Sequence, residues 1–416
     1  MHTSLTHRLT LLLGLLIATV ASSHLRADDF QPLRSFMEQS VANEVVVGCA
    51  AQITQGGKTI FLEAFGDLDP EASRELRTDD VVCIYSMSKA ITSTAAMMLM
   101  EEGRLGLDDP VSKYIPEFAE ARVASWPEGV ERTADTMELI EPDRPIIVRD
   151  LLLHTSGLGY SFTVEPALQP FYRGHWQDQD SLESAIAEVA RMPLAGHPGT
   201  AFIYGLNSDV LGRVVEVASG QPFEVFLEER LFSPLGMVDT RFTPGPPERS
   251  MPEAVKRVED GVLVRGSAGL EGNENPEHPP LPLGGQGLFS TLADYTRFCR
   301  MILGKGRLDG TRYLTARTVD FMTRNHLGPN VRAGRMRFGL GFGIEAPIAT
   351  SRGLRGDGRL AWSGAACTFF FIDPKQDLTA VYVTQLMPWN GLIGMQFQAA
   401  VLESMAQREP APATDP

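Results

Sequence analysis

Tyr85-Ser86-Met87-Ser88-Lys89-Ala90-Ile91-Thr92-Ser93-Thr94-Ala95-Ala96-Met97-Met98-Leu99 is the stretch on which the reading of this chain turns. The apolar approach Val81–Tyr85 predicts a short strand. Ser86–Glu102 predicts a helix, because Ala90, Ile91, Thr94, Ala95, Met98 and Leu99 recur at helical spacing and Gly103 supplies a stop. Ser86 and Lys89 then share one helix face, with Cβ atoms ~5–6 Å apart. A serine hydroxyl is a weak nucleophile until a base removes its proton. Lysine is such a base where burial and the positive end of a helix both disfavour its ammonium form. Backbone N–H groups at the same helix end can receive an oxyanion. A Ser and a Lys three residues apart occur by chance in most proteins, so the weight falls on the strand-to-helix context.

Two further stretches carry candidate chemistry. Tyr204, in Phe202-Ile203-Tyr204-Gly205-Leu206-Asn207, is a tyrosine that can shuttle a proton beside a lysine; a Tyr beside Phe and Ile is also an ordinary core residue. Trp362-Ser363-Gly364, followed by Ala365 and an apolar run, carries a glycine that permits close backbone approach to a ligand; an ordinary strand entry is the plain alternative.

Strand signals lie at both ends of the chain. Val45–Thr54 and Thr59–Phe65 flank the turn Gln55-Gly56-Gly57-Lys58 and predict a hairpin. Arg337–Glu345, Ala366–Ile372 and Thr379–Gln385 are strand candidates near the other end. Helices are predicted at Leu33–Val41, Asp150–His154, Ser208–Ser219, Phe223–Phe232, Leu292–Leu303 and Leu392–Ala406, with connectors at Pro244–Pro247 and Pro276–Pro282. The expected architecture is α+β: one antiparallel sheet flanked by helices and built from both ends of the chain, with an inserted, mainly helical lobe. The sheet lobe covers residues 28–95 and 275–408 and the helical lobe 96–274, with the site at their seam.

The chain has 416 residues, 43% of them hydrophobic, and a formal net charge of −15. Lys and Arg form no cluster, which excludes nucleic acid and anionic membrane surfaces as natural partners. His7 and Arg8, the apolar run Leu9–Val20 and the small residues Ala21–Ser23 form a signal-peptide pattern. The candidate cleavage positions follow Ala21, Ser23 and Ala27, with Ala27 preferred, so residues 1–27 are expected to be removed on export to the periplasm or beyond. No later segment reads as membrane-spanning, and Arg408–Pro416 reads as a disordered tail, taken as 409–416 for the domain division. Cys49, Cys83, Cys299 and Cys367 lie among apolar neighbours at spacings that match no metal or disulfide framework, so buried free thiols are expected. No metal or cofactor is expected.

Taken in order, the Ser86–Lys89 pair, Tyr204 and Trp362-Ser363-Gly364 resemble the serine β-lactamase and penicillin-recognising family, closest to its class C-like (family VIII) carboxylesterase branch. The flanking words match as well: Leu107–Pro116, Leu152-Leu153-His154-Thr155-Ser156-Gly157-Leu158, Pro234–Met237 with Asp239-Thr240, and Gly284-Gly285-Gln286-Gly287-Leu288. The resemblance implies the β-lactamase/transpeptidase-like fold. It implies an acyl-enzyme on Ser86, Lys89 as base, Tyr204 as its partner in proton transfer, and an oxyanion hole from the N–H groups of Ser86 and Ala365. Trp362, Ser363, Gly364 and Leu206 would contact a small-molecule ester or amide. His154 reads as structural.

Two departures narrow the substrate. Leu206 stands where the lactamase and peptidase branches usually carry Asn, and Trp362 stands where they carry Lys or His. Both remove polar contacts from the pocket. Ester hydrolysis, or acyl transfer from the same intermediate, is therefore the expected activity. β-Lactam hydrolysis or D-alanyl-D-alanine carboxypeptidase activity is the alternative enzyme reading, and a non-catalytic binding protein on the same fold is the alternative from another class. A serine-directed fluorophosphonate probe separates that last reading, since a binding protein would not label.

Overall fold

A computed structural model describes residues 30–408, apart from 72–73, 175, 177–178, 253, 257–260, 267–280, 335, 347, 351–352 and 356–357. The expected leader (1–27), the tail (409–416) and most of the 276–282 connector lie outside the described residues.

Seven strands form one sheet: β1 (Gly48–Gln55), β2 (Lys58–Gly66), β3 (Arg337–Phe338), β4 (Gly343–Ile344), β5 (Leu360–Ser363), β6 (Phe369–Asp373) and β7 (Leu378–Val383), in the order β3-β4-β5-β6-β7-β1-β2. Every neighbouring pair is antiparallel. The first hairpin closes through Gly56 and Gly57 at φ 58° and 73°, a turn that favours glycine at both positions. The strand nearest the amino terminus pairs with the one nearest the carboxyl terminus, Ala50 opposite Val383 and Gln55 opposite Leu378. The sheet is thus built from both ends of the chain.

Side chains alternate between the two faces, as the pleat requires. Cys49, Ala51, Ile53, Phe371, Ala380 and Tyr382 pack beneath helices α1 (Gln31–Ala42) and α7 (Gly391–Gln407). Ala50, Phe370, Ile372, Val381 and Val383 turn to the opposite face. There they join one continuous core with α2 (Ser88–Glu101), α3 (Val148–Leu153), α4 (Leu182–Ala190), α5 (Asn207–Ser219) and α6 (Leu292–Leu303). Every residue of α2 from Ser88 to Leu99 is buried. The helix that carries the candidate lysine is therefore the central strut of the molecule.

Several expectations are corrected. Arg337–Glu345 is two short strands rather than one. Gly341 breaks the run at φ 89°, where a side chain would strike Ser93, a Cβ falling 2.2 Å from its Oγ. Trp362 lies near the end of β5, so the plain alternative of a strand entry does not hold. The helical span also contains two short antiparallel pairs, Val123–Ser125 with Glu138–Ile140 and Ala254–Lys256 with Leu263–Arg265. All four cysteines are buried, and none of them forms a disulfide. Among the described residues, no helix is long and apolar enough to cross a membrane, and no His/Cys/Asp/Glu group could hold a metal.

Candidate active site

Ser86 is held at the end of a short bridge. Val82–Cys83 pairs with Phe289–Ser290, and the Ile84 N–H donates to the Leu288 carbonyl at 2.9 Å. Tyr85 then turns into the left-handed region at φ 44°. For a bulky non-glycine residue this conformation costs on the order of 1–2 kcal/mol. The strained step swings Ser86 into a single 3-10 turn, Tyr85–Met87, that runs directly into α2. Ser86 therefore precedes the α-helix proper, while Lys89 lies in its first turn.

Lys89 is 2% exposed, and its Nζ donates to Ser86 Oγ at 3.0 Å, to Tyr160 Oη at 3.1 Å and to the Gly285 carbonyl at 2.7 Å. No carboxylate forms an ion pair with it among the described residues. The expected Ser86–Lys89 contact is thus made directly, within general-base distance.

Tyr204 reaches the site, but its hydroxyl is not the one bonded to the lysine. Its ring centroid lies 4.8 Å from Lys89 Nζ, and its Oη accepts a long bond from Trp362 Nε1 at 3.4 Å. The bonded hydroxyl is that of Tyr160, which sequence reasoning missed. Tyr160 sits on the turn after α3, and that turn is stitched to the start of α5. Ser156 Oγ donates to Asn207 Oδ1 at 2.5 Å, Asn207 Nδ2 donates to the Leu158 carbonyl at 3.1 Å, and the Leu206 N–H donates to the Gly159 carbonyl at 3.3 Å. Asn207 is thus spent on holding Tyr160 in place. The available signal was the pair of glycines, Gly157 and Gly159, with Tyr160 two residues beyond the family-like word Leu152–Leu158.

Burial, and after it the charge of Asp209, raises the Tyr160 phenol well above its usual value, so it stays protonated at neutral pH. Burial also drives His154 well below its usual value, with Lys89 adding to the effect. His154 is therefore a neutral ring, packed 4.9 Å from Tyr204 and 5.6 Å from Phe202. Asp209, fully buried on the first turn of α5, is raised to about 6 by burial, opposed by Lys89 and by the Gly285 N–H.

The candidate oxyanion donors flank Ser86. After β5, the Gly364 N–H bonds the Thr368 carbonyl at 2.8 Å and the Cys367 N–H bonds the Gly364 carbonyl at 3.1 Å. A Cβ on Gly364 would fall 2.6 Å from the Ile84 carbonyl oxygen and 2.2 Å from Thr368 Oγ1. Only glycine lets this turn lie against the segment that leads to Ser86. The adjacent Ala365 N–H bonds no acceptor among the described residues, as a waiting donor requires.

Trp362 is half-buried and forms an aromatic wall, 5.5 Å from the Tyr204 ring and 5.3 Å from that of Phe338. Ser363, next to it, is also half-buried. Leu206 is a correction: it is fully buried in the main core and offers no surface to a ligand. Arg359 is spoken for elsewhere, its Nε bonded to Glu345 at 3.0 Å and its Nη1 near Asp373 at 3.4 Å. It supplies no cation to replace the one that Trp362 displaces. A separate cleft of about 1020 Å³ opens at the far end of α2, lined by Glu101, Arg312, Phe321 and Arg324 among others, and holds none of these groups.

Comparison with known proteins gives the family of this chain. A family model described as Beta-lactamase matches residues 33–402. Lovastatin esterase of Penicillium rubens is 30% identical over 334 residues, 75% of this chain and 82% of that protein. Monacolin J acid methylbutanoyltransferase of Aspergillus terreus is 29% identical over 370 residues, 80% of this chain and 83% of that protein. Among solved structures, simvastatin synthase from Aspergillus terreus superposes with a TM-score of 0.77 at 25% identity, covering 92% of this chain and 100% of that one.

Proposed function

The chain belongs to the β-lactamase family, and from that premise we propose that it is a serine hydrolase of carboxylic esters, able to pass the same acyl group to an alcohol. Ser86 Oγ attacks the acyl carbon while Lys89, in its amine form, accepts the hydroxyl proton. The tetrahedral oxyanion is received by the N–H groups of Ser86 and Ala365. The intermediate collapses with loss of the alkoxide, which takes its proton from Lys89 through the hydroxyl of Tyr160 or Tyr204. Water, or a second alcohol, then repeats the sequence on the acyl-enzyme and frees Ser86.

The observation that carries the ester reading is the aromatic wall of Trp362 and Tyr204, backed by the buried Phe338, together with Arg359 turned away into its own ion pairs. β-Lactams and peptidoglycan stems present a carboxylate. A charge-assisted bond contributes roughly 1.5–3 kcal/mol, and a carboxylate left without one is penalised by at least as much. An acyl group that is neutral and apolar or aromatic fits the ring instead. The catalytic efficiency for an aryl acetate and for a chromogenic cephalosporin, measured on one preparation, tests this. The acetate is expected to be the better substrate, and the reverse order replaces the esterase reading with a β-lactamase one. Labelling of Ser86 by a fluorophosphonate is expected, and its absence would favour a binding protein.

The reading includes export directed by residues 1–27 and one catalytic unit composed of the sheet and helical lobes. Recovery of a chain that begins at Asp28 from the periplasm or medium is the expected result; an unprocessed chain in the cytoplasm would overturn the export.

A further inference from the structure

Asp209 is fully buried within reach of the Ser86–Lys89 pair, and nothing in the chemistry above uses it. Its Oδ1 accepts the Gly285 N–H at 2.8 Å, and the carbonyl of the same Gly285 accepts Lys89 Nζ at 2.7 Å. Its Oδ2 is buried with no hydrogen-bond partner among the described residues. Residue 285 must be glycine for this contact to exist, because a Cβ there would lie 2.6 Å from Asp209 Oδ2. The carboxylate, the residue 285 backbone and the lysine thus form one chain of contacts that ends on Ser86 Oγ.

We propose that Asp209 is a positioning residue of the acylation step, acting through Gly285 to fix Lys89 and providing the counter-charge for the ammonium formed when Lys89 takes the Ser86 proton. This rests on Ser86 and Lys89 being nucleophile and base. A cation generated in a dry site is costly unless an anion shares the burial. The titratable groups that face Lys89 are Tyr160 from the turn after α3, His154 at the end of α3, Tyr204 before α5 and Asp209 on α5. The 284–287 segment offers only backbone at this point. Tyr160 and His154 are held neutral by burial, and Asp209 is the carboxylate of the set. Its raised value, opposed by Lys89, agrees with a shared charge. No bond to Asp209 forms or breaks: the proton moves from Ser86 to Lys89 and on to the leaving alkoxide.

The experiment is the kcat, KM and pH profile of Asp209→Asn with an aryl acetate. Asn keeps the volume and the acceptor for the Gly285 N–H and removes only the charge. The expected result is a 10–100-fold fall in kcat with KM within about twofold, together with an acid limb of kcat/KM displaced to lower pH by about one unit or more. A merely structural role would lower the amplitude and leave the limb in place. Wild-type kcat, or a lowered kcat on an unmoved limb, overturns the proposal. Should Asn fail to fold, Asp209→Ser is read on the same axes. Lys89→Ala separates the underlying reading: activity surviving there sinks both, whereas an inactive Lys89→Ala beside a wild-type-like Asp209→Asn sinks this proposal alone.

Discussion

Tyr160 and Tyr204 meet edge to face, ring centroids 5.5 Å apart at 67°, and both rings lie within 5.3 Å of Lys89 Nζ. Only Tyr160 turns its hydroxyl to the lysine. Tyr160→Phe is therefore expected to lower kcat by about 10²–10³-fold, within the range of proton-transfer catalysis. Tyr204→Phe should cost about tenfold. The double variant should fall short of the product of the two, because residues of one proton-transfer unit do not act independently. Steady-state kinetics on the three variants decides it, and a larger loss at Tyr204 would return that residue to the central role.

Ser86→Ala is expected to abolish ester hydrolysis while the thermal unfolding transition stays cooperative. Intact-mass analysis with a slowly deacylating ester should show one acyl adduct on the wild type and none on the variant. An adduct that persists in Ser86→Ala would move the nucleophile elsewhere.

Trp362→Lys places a cation beside a neutral pocket. The ratio of cephalosporin to aryl acetate efficiency is expected to rise at least about tenfold, since a charge-assisted contact contributes roughly 1.5–3 kcal/mol and each 1.4 kcal/mol is a factor of ten. An unchanged ratio would mean that the aromatic wall does not set substrate charge.

Asp209 also leaves a mark on stability. Its carboxyl titrates at about 6 in the folded chain against 3.8 for a free one. Between those values the folded state holds a proton that the unfolded state releases, so this group's contribution falls as pH rises from about 4 to about 6. The difference in unfolding free energy between wild type and Asp209→Asn should change by roughly 2–3 kcal/mol from pH 4 to pH 7, in favour of the Asn variant at the higher pH. Denaturant titrations at the two pH values measure it; a constant difference would place the carboxyl near its ordinary value.

What the sequence made legible was local. The Gln55–Lys58 turn and the Ser86–Lys89 spacing are set by neighbours a few residues away, and both are found where the pattern puts them. The rest of the site depends on contacts between distant segments. Tyr160 is 71 residues from Lys89 and Gly285 is 196, and the glycines around them mark tight turns without saying that either meets the lysine. Leu206 was drawn into the pocket by its offset from Tyr204, but the helical turn that begins there points it into the core. Trp362 lies within β5, opposite Phe370 of β6, a register set by the partner strand rather than by its own neighbours.

The three acceptors around Lys89 Nζ belong to three separate stretches of chain, and the lysine is shut from solvent only once all are in place. In the unfolded chain Ser86 is an ordinary alcohol and Lys89 an ordinary, solvated ammonium. Reactivity is therefore switched on by the last long-range contact to form. On the proposed reading, a chain that lacks any one of these contacts has no activated nucleophile, so acylation reports directly on a completed fold.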